Sequence, residues 1–288
     1  MLTLKEYGTK IGRLRSTRKM TRTMKMVSAT KLRRTQEIRQ KALDYAGPLK
    51  NMALRTSAGD PPSHQLMESR RPPRRALVLV LTSDRGLCGA FNNNVNRAVA
   101  QWIETNTKKY ESIQLSFCGR RGLVYFRRGG NTFKHYEGLM ARPSFSAIMA
   151  VSEDLQSQFL SGQYDEIYIA YNVFKSVVSR AAVIERFLPI DRQEFGAGAA
   201  AGAGEPILDP GRKELWRILV QQMTDLKLYT IFLASLLSEH SARMVSMESA
   251  TTNADKMITS YTILRNQARQ AAITGELMEI VAGAEAMK

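Results

Sequence analysis

Residues 212–247 read RKELWRILVQQMTDLKLYTIFLASLLSEHSARMVSM. Large side chains recur along this stretch at a mean step of about 3.6 residues, which is the period of one face of an α-helix. The last proline of the chain is Pro210, directly after Asp209, and this pair is typical of a helix start. The stretch therefore predicts one C-terminal helix that continues to about residue 286. The residues of its recurring face are Leu215, Leu219, Met223, Leu226, Tyr229, Leu233, Leu236, His240, Met244 and Met247.

A helix of about 75 residues would be roughly 110 Å long, too long for a domain of ordinary size to bury, so it must pair with a second helix. Residues 3–57 can supply that partner, because they contain a single proline, Pro48, and keep a loose helical spacing of apolar residues. Their apolar stripe is thin, and Arg18 and Thr21 fall where apolar residues are expected. A basic, weakly apolar helix is not stable alone, and the C-terminal stripe would complete it.

The residues between the two helices have a different pattern. Ala76–Leu81, which reads ALVLVL, is typical of a buried strand. The order of the segments that follow predicts an inserted Rossmann-like α/β domain with a parallel or mixed sheet. These segments are helices over 92–108, 119–128 and 146–160, and strands over 113–117, 166–171 and 183–188.

The predicted organisation therefore has five parts: an N-terminal coiled-coil helix (1–57), a linker (58–75) that is expected to be exposed, the inserted α/β domain (76–195), a Gly/Ala-rich linker (196–211) and a C-terminal coiled-coil helix (212–288). Since both linkers must lie at one end of the inserted domain, the two helices are predicted to form an antiparallel coiled coil.

The C-terminal helix is the longer by about 20 residues, or roughly 30 Å, so its end should project unpaired. That end carries apolar residues on several sides, and a partner would have to form an apolar sleeve around it. The apolar residues of this predicted tip are Ile273, Leu277, Ile280 and Val281.

Charge is distributed unevenly along the 288 residues. The formal net charge is +16, and residues 1–55 contain fifteen Lys and Arg against three acidic residues. No apolar run approaches the roughly 18 residues that a membrane span needs, and the N-terminus has no apolar signal-peptide core. The two cysteines, Cys88 and Cys118, have no metal or redox spacing, and this count suits a reducing cytoplasm.

Signatures of catalysis and cofactor binding are weak. The strand-to-helix turn SDRGLCG (83–89) is neither G-x-G-x-x-G nor a P-loop, so it predicts a tight turn rather than a phosphate site. His64 in the linker, His135 in a predicted loop and His240 in the long helix cannot form a ligand cluster from their spacing. Asp165 and Glu166 at a strand start are predicted to be solvated caps. The sequence therefore predicts no catalytic residue, no metal site and no cofactor.

Two other classes of protein remain open on the residues alone. The basic N-terminal helix would suit a coiled-coil nucleic-acid-binding or scaffold protein, because lysine and arginine neutralise phosphates. Only Tyr7 and Tyr45 could stack on bases there, which argues against nucleic acid as a partner. The second alternative is an α/β enzyme with helical arms, which ligand-induced stabilisation by a nucleotide would reveal.

Several motifs resemble the gamma subunit of F-type ATP synthases. ITGELMEIVAGAEA (273–286) contains every fixed position of that family's C-terminal signature, and ARQA (268–271) and ARMVSM (242–247) also fit. KMTRTMKMVSATKLR (19–33) resembles its N-terminal motif, with Met20 and Thr23 as mild departures. GAGAAAGAG (196–204) is more glycine-rich than the family usually has there.

The resemblance implies a non-catalytic central rotor shaft that couples proton-driven rotation of the membrane c ring to ATP synthesis or hydrolysis. Its implied partners are three alpha and three beta subunits, which carry the catalytic sites, the epsilon subunit and the c ring. It implies association with the membrane only through partners, on the cytoplasmic face of a bacterial plasma membrane. The motif positions implied to contact the alpha/beta ring are Met24, Lys25, Arg243, Arg269, Gln270, Thr274 and Glu276.

Overall fold

The computed structural model describes residues 3–57, 62–70, 72–141, 143–177, 179–191, 211–285 and 287. Its contacts divide the chain into two units. Unit 1 comprises Met1–Ala29 and Arg243–Lys288, and unit 2 comprises Thr30–Ala242. The helices are α1 (Leu4–Thr56), α2 (Phe91–Asn106), α3 (Arg120–Phe126), α4 (Phe145–Leu160) and α5 (Arg212–Glu285), and the strands are β1 (Arg75–Leu81), β2 (Ser112–Cys118), β3 (Thr132–Tyr136), β4 (Glu166–Phe174) and β5 (Arg180–Leu188).

The two long helices predicted at the ends of the chain are confirmed as α1 and α5. A capping box begins α1, since Thr3 N donates to Glu6 Oε2 at 2.7 Å and Glu6 N donates to Thr3 Oγ1 at 3.3 Å, which satisfies two amides that have no partner within the helix. Most buried and partly buried positions of α1, together with Arg18, which bonds to Asp255 of α5, recur in alternating steps of four and three residues. This is the heptad spacing of a left-handed coiled coil, and these residues are its seam positions. These positions are Tyr7, Ile11, Leu14, Arg18, Thr21, Lys25, Ser28, Leu32, Thr35, Arg39, Ala42, Ala46, Leu49, Ala53 and Thr56.

Unit 2 contains a mixed sheet with strand order β3-β2-β1-β4-β5 among the described residues. The strands β1, β2, β3 and β4 run parallel, and β5 pairs antiparallel with β4. Every residue of Ala76–Leu81 is buried, as expected for a parallel strand covered on both faces. The predicted α/β domain between the two long helices is thereby confirmed.

The two faces of the sheet pack against different helices. Val78 and Val80 of β1 belong to an apolar cluster with α2, and partly buried residues of α3 pack against it. Leu77 and Leu79 point to the opposite face, where they share a core with α4 and with the parts of α1 and α5 that belong to unit 2. The long helices are thus part of the core of unit 2, because they cover one side of its sheet.

The central part of α5 is more deeply buried than its single apolar stripe predicts. Every residue from Ile231 to Ala242 is buried. The helix packs on the core through Phe232, and Ser238 Oγ donates to the carbonyl oxygen of Asn172 in β4 at 2.9 Å. The small serines and alanines of this segment permit close approach on every side, which a count of large residues alone does not detect.

Three local predictions are wrong. His135 lies in β3, a strand that the sequence did not predict, rather than in a loop. Residues 62–70 are not simply exposed, because a 3₁₀ turn at Gln65–Met67 buries Leu66, whose carbonyl accepts from Ile190 N at 2.8 Å. Asp165 and Glu166 are buried rather than solvated.

The Gly/Ala-rich linker falls almost entirely outside the described residues, as do residues 58–61 and 71 of the first linker, the predicted helix start at Asp209 and Pro210, the run 196–204 and the last signature residue, Ala286. The described residues nearest to the two linkers nevertheless meet. Arg212 Nε, at the first turn of α5, donates to the carbonyl oxygen of Thr56 at 2.8 Å. This contact agrees with the prediction that the two helices leave the inserted domain at one end.

Candidate functional site

In unit 1 the helices α1 and α5 run antiparallel and are joined by polar side chains. Thr21 Oγ1 and Thr251 Oγ1 lie 2.8 Å apart. On one side of this pair Arg18 Nη1 lies 2.8 Å from Asp255 Oδ1, and on the other side Lys25 forms an ion pair with Glu248. Sequence numbers rise along one helix as they fall along the other, which establishes the antiparallel direction.

These contacts explain why the apolar stripe of α1 is thin. Arg18 and Thr21 occupy seam positions and bind polar partners across the seam. The sequence did not reveal the partners Glu248, Thr251 and Asp255. Heptad spacing was the available signal, because most of the buried and partly buried α5 positions from residue 247 onward also recur in steps of four and three. These positions are Met247, Thr251, Ala254, Ile258, Tyr261, Arg265 and Ala268.

The seam ends at Ala268, and the end of α5 has no cover within unit 1. Every residue from Arg269 to Glu285 is exposed. The segment includes several large apolar residues, of which Ile280 is 68% exposed. Such a row of exposed apolar side chains is unfavourable in water and is typical of a surface that binds a partner. The predicted sleeve residues Ile273, Leu277, Ile280 and Val281 all lie here.

The predicted ring-contact residues fall into two groups. Met24, Lys25 and Arg243 are partly buried residues in the paired part of unit 1, and Lys25 is bonded to Glu248. The other four lie on the exposed end of α5, between one and eight residues beyond the last seam residue, Ala268. They are Arg269, Gln270, Thr274 and Glu276. Their contact with an alpha/beta ring stays a prediction.

The carboxyl end of β1 lies where strand order reverses in the sheet, and nucleotide sites of α/β folds often occur at such points. At this end of β1, the side chains of Ser83, Cys88 and Asn92 bind each other. Asn92 Oδ1 accepts from Ser83 N at 2.9 Å, and Asn92 Nδ2 donates to Ser83 Oγ at 2.8 Å and to Cys88 Sγ at 3.2 Å. Cys88 and Phe91 pack on Ala242 of α5. This turn is therefore packed against the long helix.

Groups of His, Cys, Asp and Glu that could hold a metal ion are absent from the described part of the chain. Cys88 and Cys118 are buried as free thiols, and burial raises the pKa of Cys118 well above its ordinary value. No helix among the described residues is both long and apolar enough to cross a membrane.

A buried polar contact joins α4 to α5 in unit 2. Ser152 Oγ donates to Asp225 Oδ1 at 2.5 Å, and Gln156 Nε2 donates to the same oxygen at 3.0 Å. Burial raises the pKa of Asp225 above its ordinary value, although these two hydrogen bonds act to lower it. Folding therefore disfavours the ionised form of Asp225 relative to the unfolded chain.

Replacing Asp225 by asparagine is expected to stabilise the protein at pH 7 by about 0.5–1 kcal/mol, because the neutral amide keeps an acceptor for Ser152 and Gln156 without a buried charge. A raised pKa contributes stability at low pH that is lost as pH rises through the folded value. The advantage of the variant should therefore grow with pH in urea unfolding between pH 4 and pH 7.

The control for this prediction is Asp154→Asn. Burial raises the pKa of Asp154, but the hydrogen bonds and charge of Lys134 and Tyr136 outweigh it, so the pKa lies below its ordinary value. This variant should lose stability at pH 7. Equal effects of the two substitutions would contradict the assignment of a disfavoured charge to Asp225.

Comparison with known proteins gives concordant results. A family model described as ATP synthase matches residues 3–287. The chain is 41% identical over 293 residues to the ATP synthase gamma chain of Anaeromyxobacter dehalogenans (strain 2CP-1 / ATCC BAA-258), and 36% identical over 294 residues to that of Bdellovibrio bacteriovorus (strain ATCC 15356 / DSM 50701 / NCIMB 9529 / HD100). Each alignment covers 100% of both chains.

Solved structures share the fold at lower sequence identity. A chain of the Euglena gracilis mitochondrial ATP synthase, from the OSCP/F1/c-ring structure in rotational state 3, aligns with a TM-score of 0.68 and 20% identity, covering 99% of this chain and 94% of the other. A chain of the central stalk/c-ring structure from Tetrahymena thermophila aligns with a TM-score of 0.56 and 19% identity, covering 80% and 99%. Since the family model and the relatives span the whole length, the chain belongs to the gamma subunit family of ATP synthases.

Proposed function

We propose that this chain is the central rotor shaft of a proton-translocating F-type ATP synthase, coupling rotation of a membrane c ring to ATP synthesis or hydrolysis in an alpha/beta hexamer. Membership in the gamma family makes it a non-catalytic subunit, with catalysis in the beta subunits. The observation that carries the proposal is the uncovered end of α5, in which every residue from 269 to 285 is exposed.

The chemistry of that end suits a shaft that turns inside a sleeve. A rotating contact must pass through several angular states without being trapped in one of them. Apolar contacts are non-directional, whereas breaking a buried ion pair costs about 3–5 kcal/mol. Apolar contacts of this kind can be made by Ile273, Leu277, Ile280 and Val281. A rigid element whose position biases several sites can couple those sites reciprocally.

The paired part of unit 1 is proposed to bind the same ring through polar groups. Met24 and Lys25 on α1 and Arg243 on α5 would contact its entrance, and the four exposed residues of the second group would contact its interior. Lys25 would have to exchange or share its ion pair with Glu248. Because that pair is exposed to solvent on both sides, such an exchange has a low cost.

The identity and number of the partner subunits and the location of the complex rest on the family resemblance. They are a ring of three alpha and three beta subunits, an epsilon subunit and a c ring beside the α/β unit, and a location on the cytoplasmic face of a bacterial plasma membrane, reached only through partners. The five-part domain organisation with boundaries near residues 57, 75, 195 and 211 belongs to the same proposal.

Reconstitution tests the proposal. The chain is mixed with purified alpha and beta subunits, with and without its last 15 residues, and complex mass and MgATP hydrolysis are measured. A complex with three alpha, three beta and one copy of this chain is expected, with hydrolysis that requires the chain. Removal of the apolar end should weaken association at least about tenfold, which is 1.4 kcal/mol.

Two double variants test whether the effect is specific to the exposed end of α5 or arises at any exposed apolar residue. Ile280→Ser combined with Val281→Ser should weaken the complex, whereas Val124→Ser combined with Leu160→Ser, at equally exposed sites of unit 2, should not. A chain that stays apart from alpha and beta would overturn the proposal. Salt-dependent binding of oligonucleotides to the basic helix α1 would then be the next measurement.

A further inference from the structure

The seam of unit 1 changes from apolar to polar along α1. Tyr7, Ile11 and Leu14 are followed at the next four seam positions only by polar residues, which are Arg18, Thr21, Lys25 and Ser28. Thr21 is 4% exposed. A polar residue at a seam position of a coiled coil lowers stability but can specify register. The polar run therefore requires an explanation other than packing energy.

At the centre of this polar run, the hydroxyls of two threonines meet across the seam. Thr251 Oγ1 can donate to the carbonyl oxygen of Met247 at 2.7 Å, and Thr21 Oγ1 to that of Arg18 at 3.0 Å, each in its own helix. The two hydroxyl oxygens lie 2.8 Å apart, so that either one can turn its proton to the other. Threonine side chains are short and stiff, so this bond forms only when Thr21 and Thr251 lie directly opposite each other.

The flanking ion pairs are attractive but do not define one register. Both are about half exposed, and pairs of this kind contribute little to stability. Arg18 and Lys25 are seven residues apart, and so are Glu248 and Asp255. A slip of one heptad would therefore re-form one pair, either Lys25 with Asp255 or Arg18 with Glu248.

The threonine pair does not tolerate the same slip. A shift of seven residues would place Thr21 opposite Ile258 or Met244. The hydroxyl of Thr21 would then face an apolar side chain in the seam and lose its partner across the helices. Together with the ring contact between Tyr7 and Tyr261, whose centroids lie 6.2 Å apart, the threonine pair thus distinguishes the observed register from its neighbours.

We propose that Thr21 and Thr251 are positioning residues that fix the axial alignment of α1 and α5 in unit 1. The ion pairs bring the helices together in the antiparallel direction, and the threonine pair selects one alignment. The alignment sets how far the exposed end of α5 extends past the start of α1. The alignment itself is independent of the proposed function, whereas its consequence for coupling rests on it.

The experiment measures the distance between two spin labels in the full chain. Labels are attached at Arg22→Cys and Ala272→Cys, which are exposed positions offset along unit 1, while Cys88 and Cys118 are buried. Because a heptad spans about 10 Å of helix, a slip should change this distance by nearly that amount. Pulsed electron spin resonance resolves one population from two.

The test variant replaces both hydroxyls by methyl groups of similar size, as Thr21→Val with Thr251→Val. It should keep or raise the melting temperature and add a second distance population shifted by about 10 Å. The control, Thr23→Val with Thr259→Val, alters two threonines that bond only to carbonyls of their own helix, and should keep one narrow distance. Thr21→Ser with Thr251→Ser should also keep one distance, because the hydroxyls remain.

A single unchanged distance in the folded valine variant would overturn the proposal. A valine variant that melts earlier than the control would also overturn it, because the pair would then act through stability rather than alignment. In the complete ATP synthase, with its c ring in lipid vesicles, loosened alignment should lower the number of protons moved per ATP hydrolysed while hydrolysis itself persists. If the distances change and this ratio does not, the alignment role stands without a link to coupling. Failure of the chain to join the complex would instead count against the proposed function.

Discussion

Replacing Phe232 by alanine is expected to lower the free energy of unfolding by about 3–5 kcal/mol, as for other fully buried aromatic side chains. Phe232 lies on α5 and has no exposed surface. Its ring belongs to the core that α5 shares with the sheet, α4 and the unit 2 part of α1. The cost combines lost burial with the cavity left behind, because a segment buried on every side cannot collapse onto it. Urea unfolding of the full chain, followed by circular dichroism, measures this change.

The matched control for this change is Phe145→Ala. Phe145 begins α4, is 56% exposed and meets Tyr229 of α5 edge-on with ring centroids 5.1 Å apart. The same deletion there should cost no more than about 1.5 kcal/mol, the value of one aromatic contact. If the two substitutions cost the same, α5 would not be anchored through Phe232, and the deep burial of its central segment would lose its main support.

The long helices could be predicted from sequence because their periodic pattern is extensive. The stripe from Leu215 to Met247 persists over nine helical turns, and the run Ala76–Leu81 is apolar at every position, so neither signal depends on distant partners. β3 was missed because it has only five residues, follows Gly129 and Gly130, and carries Lys134 and His135 among its few apolar side chains. Its strand conformation depends on pairing with β2, which no local pattern encodes.

The burial of polar groups could not be predicted from the chain alone. Asp165 follows a turn and has the sequence features of a solvated cap, yet its carboxylate accepts from the backbone amides of Arg74 and Arg75 at 2.8 and 2.9 Å. The donors lie about 90 residues away. Thr21 was similarly unexplained until the fold placed Thr251 against it. A polar residue in an apolar pattern indicates a missing partner, but it does not identify that partner.

The candidate binding surface at the end of α5 could also be predicted only in part. Its location, at the unpaired end of the longer helix, follows from helix length and from apolar residues on several sides. The individual contact residues came from motif positions, since Arg269, Gln270, Thr274 and Glu276 have no local property that separates them from other exposed residues. What they contact is a property of the partner, which the sequence of this chain does not contain.

Replacing Glu166 by glutamine is expected to cost about 2–3 kcal/mol of stability at pH 7. Hydrogen bonds to charged groups contribute roughly 1.5–3 kcal/mol each, but the total is smaller than their sum because the exposed partners can recover part of their hydration. Its side chain is 8% exposed. Glu166 Oε2 accepts from Lys109 Nζ at 2.8 Å and from the hydroxyls of Tyr110 and Tyr168. Arg186 Nη1 lies 3.8 Å from the other oxygen. Loss of the carboxylate would leave Lys109 without its counter-ion, whereas Arg186 would keep Asp191, whose Oδ2 lies 3.7 Å from Arg186 Nη2.

The pH dependence distinguishes the charge of Glu166 from its shape. Burial raises the pKa of Glu166, but the hydrogen bonds of Lys109 and Tyr110 outweigh it, so the pKa lies below its ordinary value of 4.5. A lowered pKa contributes stability that is present above the unfolded value and is lost as pH falls through the folded value. The difference between the wild type and Glu166→Gln should therefore be constant above about pH 5.5 and shrink below about pH 4.5. Glu111→Gln removes an ion pair with Arg74 that is mostly exposed, and should cost less than about 1 kcal/mol. A loss of stability in Glu166→Gln that persists unchanged to pH 3 would mean that the carboxylate acts through packing. The charged network between β4 and the end of α2 would then not stabilise this end of the sheet.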